Sequence, residues 1–379
     1  MPLLWLALTT GHAAEIASAP AGAVETGAPA YELLTTESLG LDTAPTDFRE
    51  LPDGRILLVA GLQLALGDGV RWQVYEQGGD AERVPVTSAG VDLDGSIYVA
   101  MPDGVAKVEF GEDGRWRPRL VAPWSIPGQQ NKLMLPQAMM QEAGGEWLWH
   151  SLTGAILSWR PGRTMELRGF SNTIETAFEF DGNFYVSERA NGTLARLQSG
   201  ESEQIKSEGS LSAITSSLAL GPGRLLVGTY GRGLQLFDGR AVHGFAADEL
   251  FSSGERVNDL CRTESGFLAA AIDGYGIVFF TEDGRTVEVL DRSSDSRFAR
   301  IRRLRNGHGG VVWALFDAGI ARVQFPARVS NFETQFGNGL TTAHPYRLGN
   351  TLWMLADGRL YRGAYDHAGR LTHLDLDSP

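Results

Sequence analysis

The sequence predicts an all-β fold, a β-propeller built from eight four-stranded repeats, and three observations predict it. A frame of turn glycine, apolar strand, polar turn, second glycine and second apolar strand recurs along the chain. Asp-Gly and related pairs punctuate the strands at the positions where tight hairpins need positive φ. No segment has an apolar period of 3.6 long enough to compete as a helix.

The repeats follow in order. "PDGRILLVAG" (52–61), "LDGSIYVAMPDGVAKVEF" (93–110), "AGGEWLWHSLTGAILSW" (143–159) and "FDGNFYVSERANGTLARL" (180–197) share the frame. "GPGRLLVGTYGRGLQLF" (221–237), "ESGFLAAAIDGYGIVFF" (264–280), "HGGVVWALFDAGIARVQF" (308–325) and "LGNTLWMLADGRLYR" (348–362) continue it. Corresponding strand positions run from Ile56 through Ile97, Trp147, Phe184, Leu225, Leu268 and Val312 to Leu352, a mean period of about 42 residues. The second glycine recurs at Gly104, Gly154, Gly192, Gly233, Gly276, Gly319 and Gly358. A strand precedes each frame, as in "TDFRELPD", "ETAFEFD" and "RVNDLCRTES", and another closes it, as in "RWQVYEQ" and "TVEVLD". Four short strands in such a period are one propeller blade. Runs such as "ILLVA" are apolar on both faces because a blade is sandwiched between two neighbours.

The stretch "LLVGTYGRGLQLFDG" (225–239) has a second reading, in which Gly228, Gly231 and Gly233 cradle a phosphate beside Arg232. A dinucleotide fingerprint needs a helix after its glycines, and "LQLFDG" is a strand. The glycines are turn residues first.

The frame resembles the two-component regulator propeller repeat of bacterial sensors. Its fullest copy is the fifth, through Gly223, Leu225, Leu226, Val227, Gly228, Thr229, Gly233, Leu234, Phe237, Asp238 and Gly239. "YELLTTESLGLDTAPTD" (31–47) is similar to the entry of those propellers, where an outer strand precedes a Gly-Leu turn and the first inner strand. The resemblance covers 31–379 and implies a ligand-sensing propeller, usually of seven blades and often in tandem. It also implies a β-sandwich, membrane helix and output domain beyond Pro379, or a separate signalling partner. "GLDTA" (40–44) returns as "GLTTA" (339–343), which fits seven blades plus the start of another propeller. An isolated blade would expose both apolar faces, so eight blades in one ring is the preferred count for a chain that closes once.

The N-terminus, with an apolar run from Pro2 to Leu8 and small residues at Gly11, Ala13 and Ala14, reads as a signal peptide over 1–14. A flexible Ala/Gly/Pro spacer over 15–30 precedes the propeller at 31–379, and the expected location is periplasmic or extracellular. No later segment has the roughly 18 apolar residues a membrane helix needs. A net charge of −13 leaves no basic stripe for nucleic acid. The single cysteine, Cys261, excludes an internal disulfide and a cysteine-based zinc site, and it lies in an apolar inner strand.

Chemistry and binding are weighed on the same face. A metal-dependent propeller hydrolase or lyase would need Glu, Asn and Asp converging on the channel, and Glu175, Asn258, Asp259 and Asp47 stand near inner-strand starts. Carboxylates there more often cap turns. "DLDG" (92–95) is a turn before it is a calcium loop, no G-x-S-x-G elbow appears, and His150 and His344 sit beside strands. No catalytic residue and no cofactor is therefore expected. Loops joining second to third strands gather on one face with those entering the inner strands. They offer Met101–Asp103, Ser151–Thr153, Glu188, Arg189, Tyr230, Arg232, Asp273, Tyr275 and Asp317. Aromatics beside paired charges suit a small polar ligand such as a saccharide, and Glu188, Arg189, Tyr230, Arg232, Asp273, Tyr275 and Asp317 are the expected contacts. A periplasmic protein-binding scaffold is the third reading.

Overall fold

The computed structural model describes residues 28–79, 83–124, 136–143, 146–151, 155–170, 174–188, 192–198, 201–205, 213–245, 254–326, 330–331, 343–349, 351–365 and 371–377. The expected signal peptide and most of the spacer lie outside them. Among the described residues there is no α-helix, only two 3-10 turns at Ser296–Arg300 and His308–Gly310. The chain divides into two compact units, residues 29–328, and residues 1–28 with 329–379.

Among its described residues the first unit holds seven four-stranded antiparallel blades, each with an inner strand, the first two joined into one eight-stranded sheet. The inner strands are Asp47–Glu50, Ala89–Val91, Pro136–Ala143, Ile174–Phe180, Ile214–Gly221, Val257–Arg262 and Ile301–Asn306. Each touches the next in this order, and the last touches the first. The cycle is that of a β-propeller. A parallel pairing of Arg115 and Trp116 with Glu76 and Gln77 joins the outer strands of the first two blades. There the Trp116 indole donates to the Leu62 carbonyl at 3.0 Å.

The seventh blade takes its outer strand from the start of the unit. Tyr31–Thr35 pairs antiparallel with Gly319–Gln324, from Tyr31 opposite Val323 to Thr35 opposite Gly319. The outer strand that the resemblance implies within 31–47 is Tyr31–Thr35, and it pairs with the seventh repeat. Within residues 29–328 these contacts run through seven inner strands, the count of the alternative reading of seven blades plus the start of another propeller. Within this unit Tyr31–Thr35 completes the seventh blade, and the first and seventh inner strands are in contact. The eighth repeat forms its own sheet in the second unit, with strands Ala343–Leu348, Thr351–Ala356, Arg359–Tyr365 and Leu371–Leu376.

The doubly apolar strands behave as the sandwich argument requires. All five residues of Ile56–Ala60 are buried. Leu57 and Val59 enter a core shared with Val99, Ala106 and Trp116 of the second blade. Ile56, Leu58 and Ala60 enter another, with Trp313, Leu315 and Ile320 of the seventh. The period of two along a strand splits one short run between two neighbours. Burying each Leu or Ile contributes roughly 1.5–3 kcal/mol.

The repeat's second glycine has a physical cause at Gly319. A Cβ there would lie 2.1 Å from the Leu34 carbonyl oxygen, so only glycine lets the closing strand approach. Gly104 and Gly276 face the carbonyls of Ala122 and Leu290 at the same distance.

Candidate functional site

Polar residues within the first three positions of several inner strands tie one blade to another. Asp47 is fully buried; its Oδ2 accepts the Ala89 amide of the second blade at 3.3 Å and pairs with Arg49 at 3.1 Å. Asp259 does the same between the sixth and seventh blades. Its Oδ2 accepts the Leu304 amide at 2.9 Å and Arg305 at 3.0 Å, while Oδ1 accepts the Leu260 amide at 3.0 Å. Asn258 donates to the Ile301 carbonyl at 2.9 Å. Glu175 of the fourth blade reaches past the fifth to Arg256 of the sixth at 2.5 Å. The four residues singled out as metal candidates do stand at inner-strand starts, where they clamp blades and hold guanidinium groups. Among the described residues no group of three His, Cys, Asp or Glu could hold a metal ion.

The channel contains a cavity of about 610 Å³. Its wall is formed by Thr46 and Arg49 of the first blade, Glu175 and Thr176 of the fourth, and Thr215, Ser216 and Ser217 of the fifth. The sixth blade adds Arg256 and Asn258–Leu260, and the seventh adds Arg302, Arg303 and Arg305. A second cavity, of about 670 Å³, opens where the loop after the sixth blade's second strand meets that of the seventh. It is lined by Asp273, Gly274, Arg292, Ser296, Arg300 and Asp317, and shares Arg256, Asn258 and Arg302 with the first.

Closure of the ring positions this mouth. The Tyr31 hydroxyl donates to the Ser294 carbonyl at 2.7 Å, and its ring meets Phe298 edge-on at 4.9 Å. Asp295 caps the 3-10 turn that follows, accepting the Arg297 amide at 2.9 Å and its guanidinium at 2.8 and 2.7 Å. That fork holds the Asp295 carboxyl below its ordinary range. The turn delivers Arg300 and Arg302 to Asp317, at 3.4 and 2.5 Å. Arg303 lies 3.7 Å from Asp47. Burial works against the charge of Arg305, but the carboxylates of Asp259 and Asp47 raise its pKa above the ordinary value.

Of the expected contact residues, Asp273 and Asp317 line the mouth. Tyr230 is 61% exposed, bridges Arg256 through the backbone, and has that guanidinium 5.9 Å from its ring centre. Arg232 is exposed and anchored by its amide to Thr229, and it lines neither cavity. Tyr275 is half-buried against the core of the fifth and sixth blades, where burial pushes its phenol up. Glu188 is half-buried at the end of Asn183–Glu188 and lines neither cavity. Arg189 lies outside the described residues. Cys261 is buried, and burial together with the Asp259 charge pushes its thiol up to about 12.

Loop-by-loop reading missed the arginines of the inner strands. Their signal is "RFARIRRLR" (297–305), five arginines in nine residues of an acidic chain.

No protein-family model matches the chain, and no curated protein matches its sequence. Solved structures match it in fold. One is the extracellular domain of BT4673 from B. thetaiotaomicron, described as a one-component and as a hybrid two-component system. It is 15% identical with a TM-score of 0.58, and the match covers 90% of this chain and 53% of that one. The chain therefore spans about half the length of this neighbour. A catalytically inactive virginiamycin B lyase from Staphylococcus aureus, with quinupristin, is 12% identical with a TM-score of 0.58, over 78% of this chain and 99% of the lyase. PorZ, a surface component of the type-IX secretion system of Porphyromonas gingivalis, is 13% identical with a TM-score of 0.58, over 88% and 59%. The likeness is one of fold. The propeller read from the repeat is the fold found, and an ectodomain of a bacterial signalling system is among its neighbours.

Proposed function

We propose that residues 29–328 are the ligand-binding head of an exported bacterial sensor, that it does not transform its ligand, and that a small polar molecule enters at the mouth beside Asp273 and Asp317. The observation that carries this reading is the pair of adjoining cavities, polar and arginine-walled, at the loop face of the ring. Each carboxylate at the channel, Glu175 and Asp259, is engaged by a guanidinium and is poorly placed to act as a base. Tyr230 offers a stacking ring at the rim, backed by Arg256. Export is supported by the apolar run from Pro2 to Leu8 followed by small residues, and by the extracellular domain among the neighbours. No helix among the described residues is long and apolar enough to cross a membrane.

The test is a thermal-shift screen of saccharides, amino acids and organic acids, followed by calorimetry on Asp317→Asn and Tyr230→Ala. A hit weakened by either substitution and recovered unchanged by NMR supports the reading. A hit that is converted to product, or that ignores both substitutions, contradicts it.

A further inference from the structure

We infer that the channel site takes a small oxyanion carrying at least two negative charges, held by guanidinium forks through its carboxylate, sulfate or phosphate groups. The inference rests on the ligand-binding reading of the ring and names the chemistry of its ligand. It starts from a mismatch of charge. The whole chain carries −13, yet its cavities gather arginine. Seven arginines line the two cavities, against the four lining carboxylates and the buried Asp47 that pairs with the wall. The surplus is two positive charges in a wall built by an acidic protein.

The pairing pattern shows where that surplus lies. Asp317 is shared by Arg300 and Arg302, and Asp47 by Arg49 and Arg303. Arg292 donates to the Gly274 carbonyl and has no carboxylate partner among the described residues. Arg256 spends an Nη on Glu175, while its Nε is buried with no hydrogen-bond partner. The buried Ser216 hydroxyl, on a residue of the same wall, is also unpartnered. A buried donor without an acceptor is costly, and guanidinium groups crowded into one cavity repel one another. A dianion relieves both. It supplies oxygens in the planar geometry that a guanidinium fork matches, and charge that a concave, partly buried wall focuses. A neutral sugar would meet the hydrogen bonds and leave the charge unbalanced.

Shared carboxylates also make the site testable without breaking the fold. Removing Arg302 leaves Asp317 with Arg300, and removing Arg303 leaves Asp47 with Arg49. Titration calorimetry of the full chain at low ionic strength would use sodium sulfate, sodium phosphate and citrate as probes. At least one is expected to bind one-to-one. Arg302→Gln and Arg303→Gln should each weaken it by about ten-fold or more, the loss of one charge-assisted contact. Arg303→Lys should fall between, because it keeps the charge and loses the fork. Arg285→Gln, in an exposed turn of the sixth blade, should bind as the wild type does. Unchanged melting temperatures would show that the variants are folded.

The inference is overturned if none of the three anions binds, or if binding survives Arg302→Gln and Arg303→Gln undiminished. A neutral oligosaccharide that binds both variants as tightly as wild type, but Tyr230→Ala more weakly, would reject the anion and keep the sensor reading. An oxyanion that binds as described and is chemically converted would keep the anion and reject the non-catalytic reading.

Discussion

Two strands from the same repeat position have opposite fates. Ile56–Ala60 of the first blade is buried at every residue, whereas in Thr351–Ala356 of the eighth repeat Leu352 and Trp353 are half-buried and Leu355 is exposed. Leu355 is 41% exposed where its repeat equivalent, Val59, is fully buried. In the same sheet Tyr346, Leu348 and Leu376 are exposed as well. Both sequences make the same four-stranded antiparallel sheet, so hairpin chemistry and alternation suffice for the blade. Burial is supplied by neighbours. In the ring, alternate residues of one strand fill two separate cores, and that sharing is what a repeat cannot encode by itself.

The largest break in the comparison should come from truncating equivalent apolar side chains. Leu58→Ala should cost about 2–5 kcal/mol, as cavities in packed cores do. Leu355→Ala should stay within about 0.5 kcal/mol, as exposed substitutions usually do. Denaturant unfolding measures both, and equal losses would end the distinction. Next come the paired second glycines. Gly319→Ala sets a methyl against the Leu34 carbonyl and must displace the closing strand, costing about 1–3 kcal/mol. A Cβ at Gly358 meets nothing within 4 Å, so Gly358→Ala pays only for its positive φ, about 1 kcal/mol. The melting temperatures of the two variants give the order.

A smaller signal sits inside the ring's wall. With its thiol raised to about 12, Cys261 should resist a thiol reagent at pH 8 in the native protein and react fully in denaturant. Rapid native labelling would show that the sixth blade opens. The smallest effect belongs to Asp238, whose carboxyl accepts the Ala241 and Arg240 amides in a turn of the fifth blade and is lowered from 3.8 to about 2. A depressed carboxylate contributes stability above its unfolded value, and this is lost as pH falls from about 3.8 through about 2. Because the side chain is 47% exposed, solvent screening limits the contribution to about 0.5 kcal/mol. Asp238→Asn should flatten the pH dependence of stability in that window by this amount, read from acid melts.

The repeat made the architecture legible, because period, Asp-Gly turns and doubly apolar strands are local features. An outer strand ahead of the first Gly-Leu turn was implied by the family resemblance of 31–47, but its pairing with Gly319–Gln324 was not. The channel was less so. Asp273, Asp317 and Tyr230 come from loops whose face the topology determines. Arg302 and Arg303 belong to an inner strand and Arg256 stands just before one, where a basic residue looks like a solvated edge until the ring turns it inward. Arg232 and Tyr275 lie outside the two cavities for the converse reason. They stand next to the right loops, yet the turn holds one outside the cavities and the core draws in the other. The acidic residues at strand starts were located by position, but their partners are distant in sequence. Asp259 meets Arg305 and Glu175 meets Arg256 only after blades have packed.

The central claim is that seven blades and the strand Tyr31–Thr35 complete a ring without the eighth repeat. Differential scanning calorimetry of residues 29–328 alone tests it most directly. The account predicts a monomer that unfolds in one cooperative transition at the temperature of the ring in the full chain, and that loses this transition when residues 29–35 are also removed. Aggregation, or a broad transition well below that temperature, would mean that the ring needs the eighth sheet and would contradict the account.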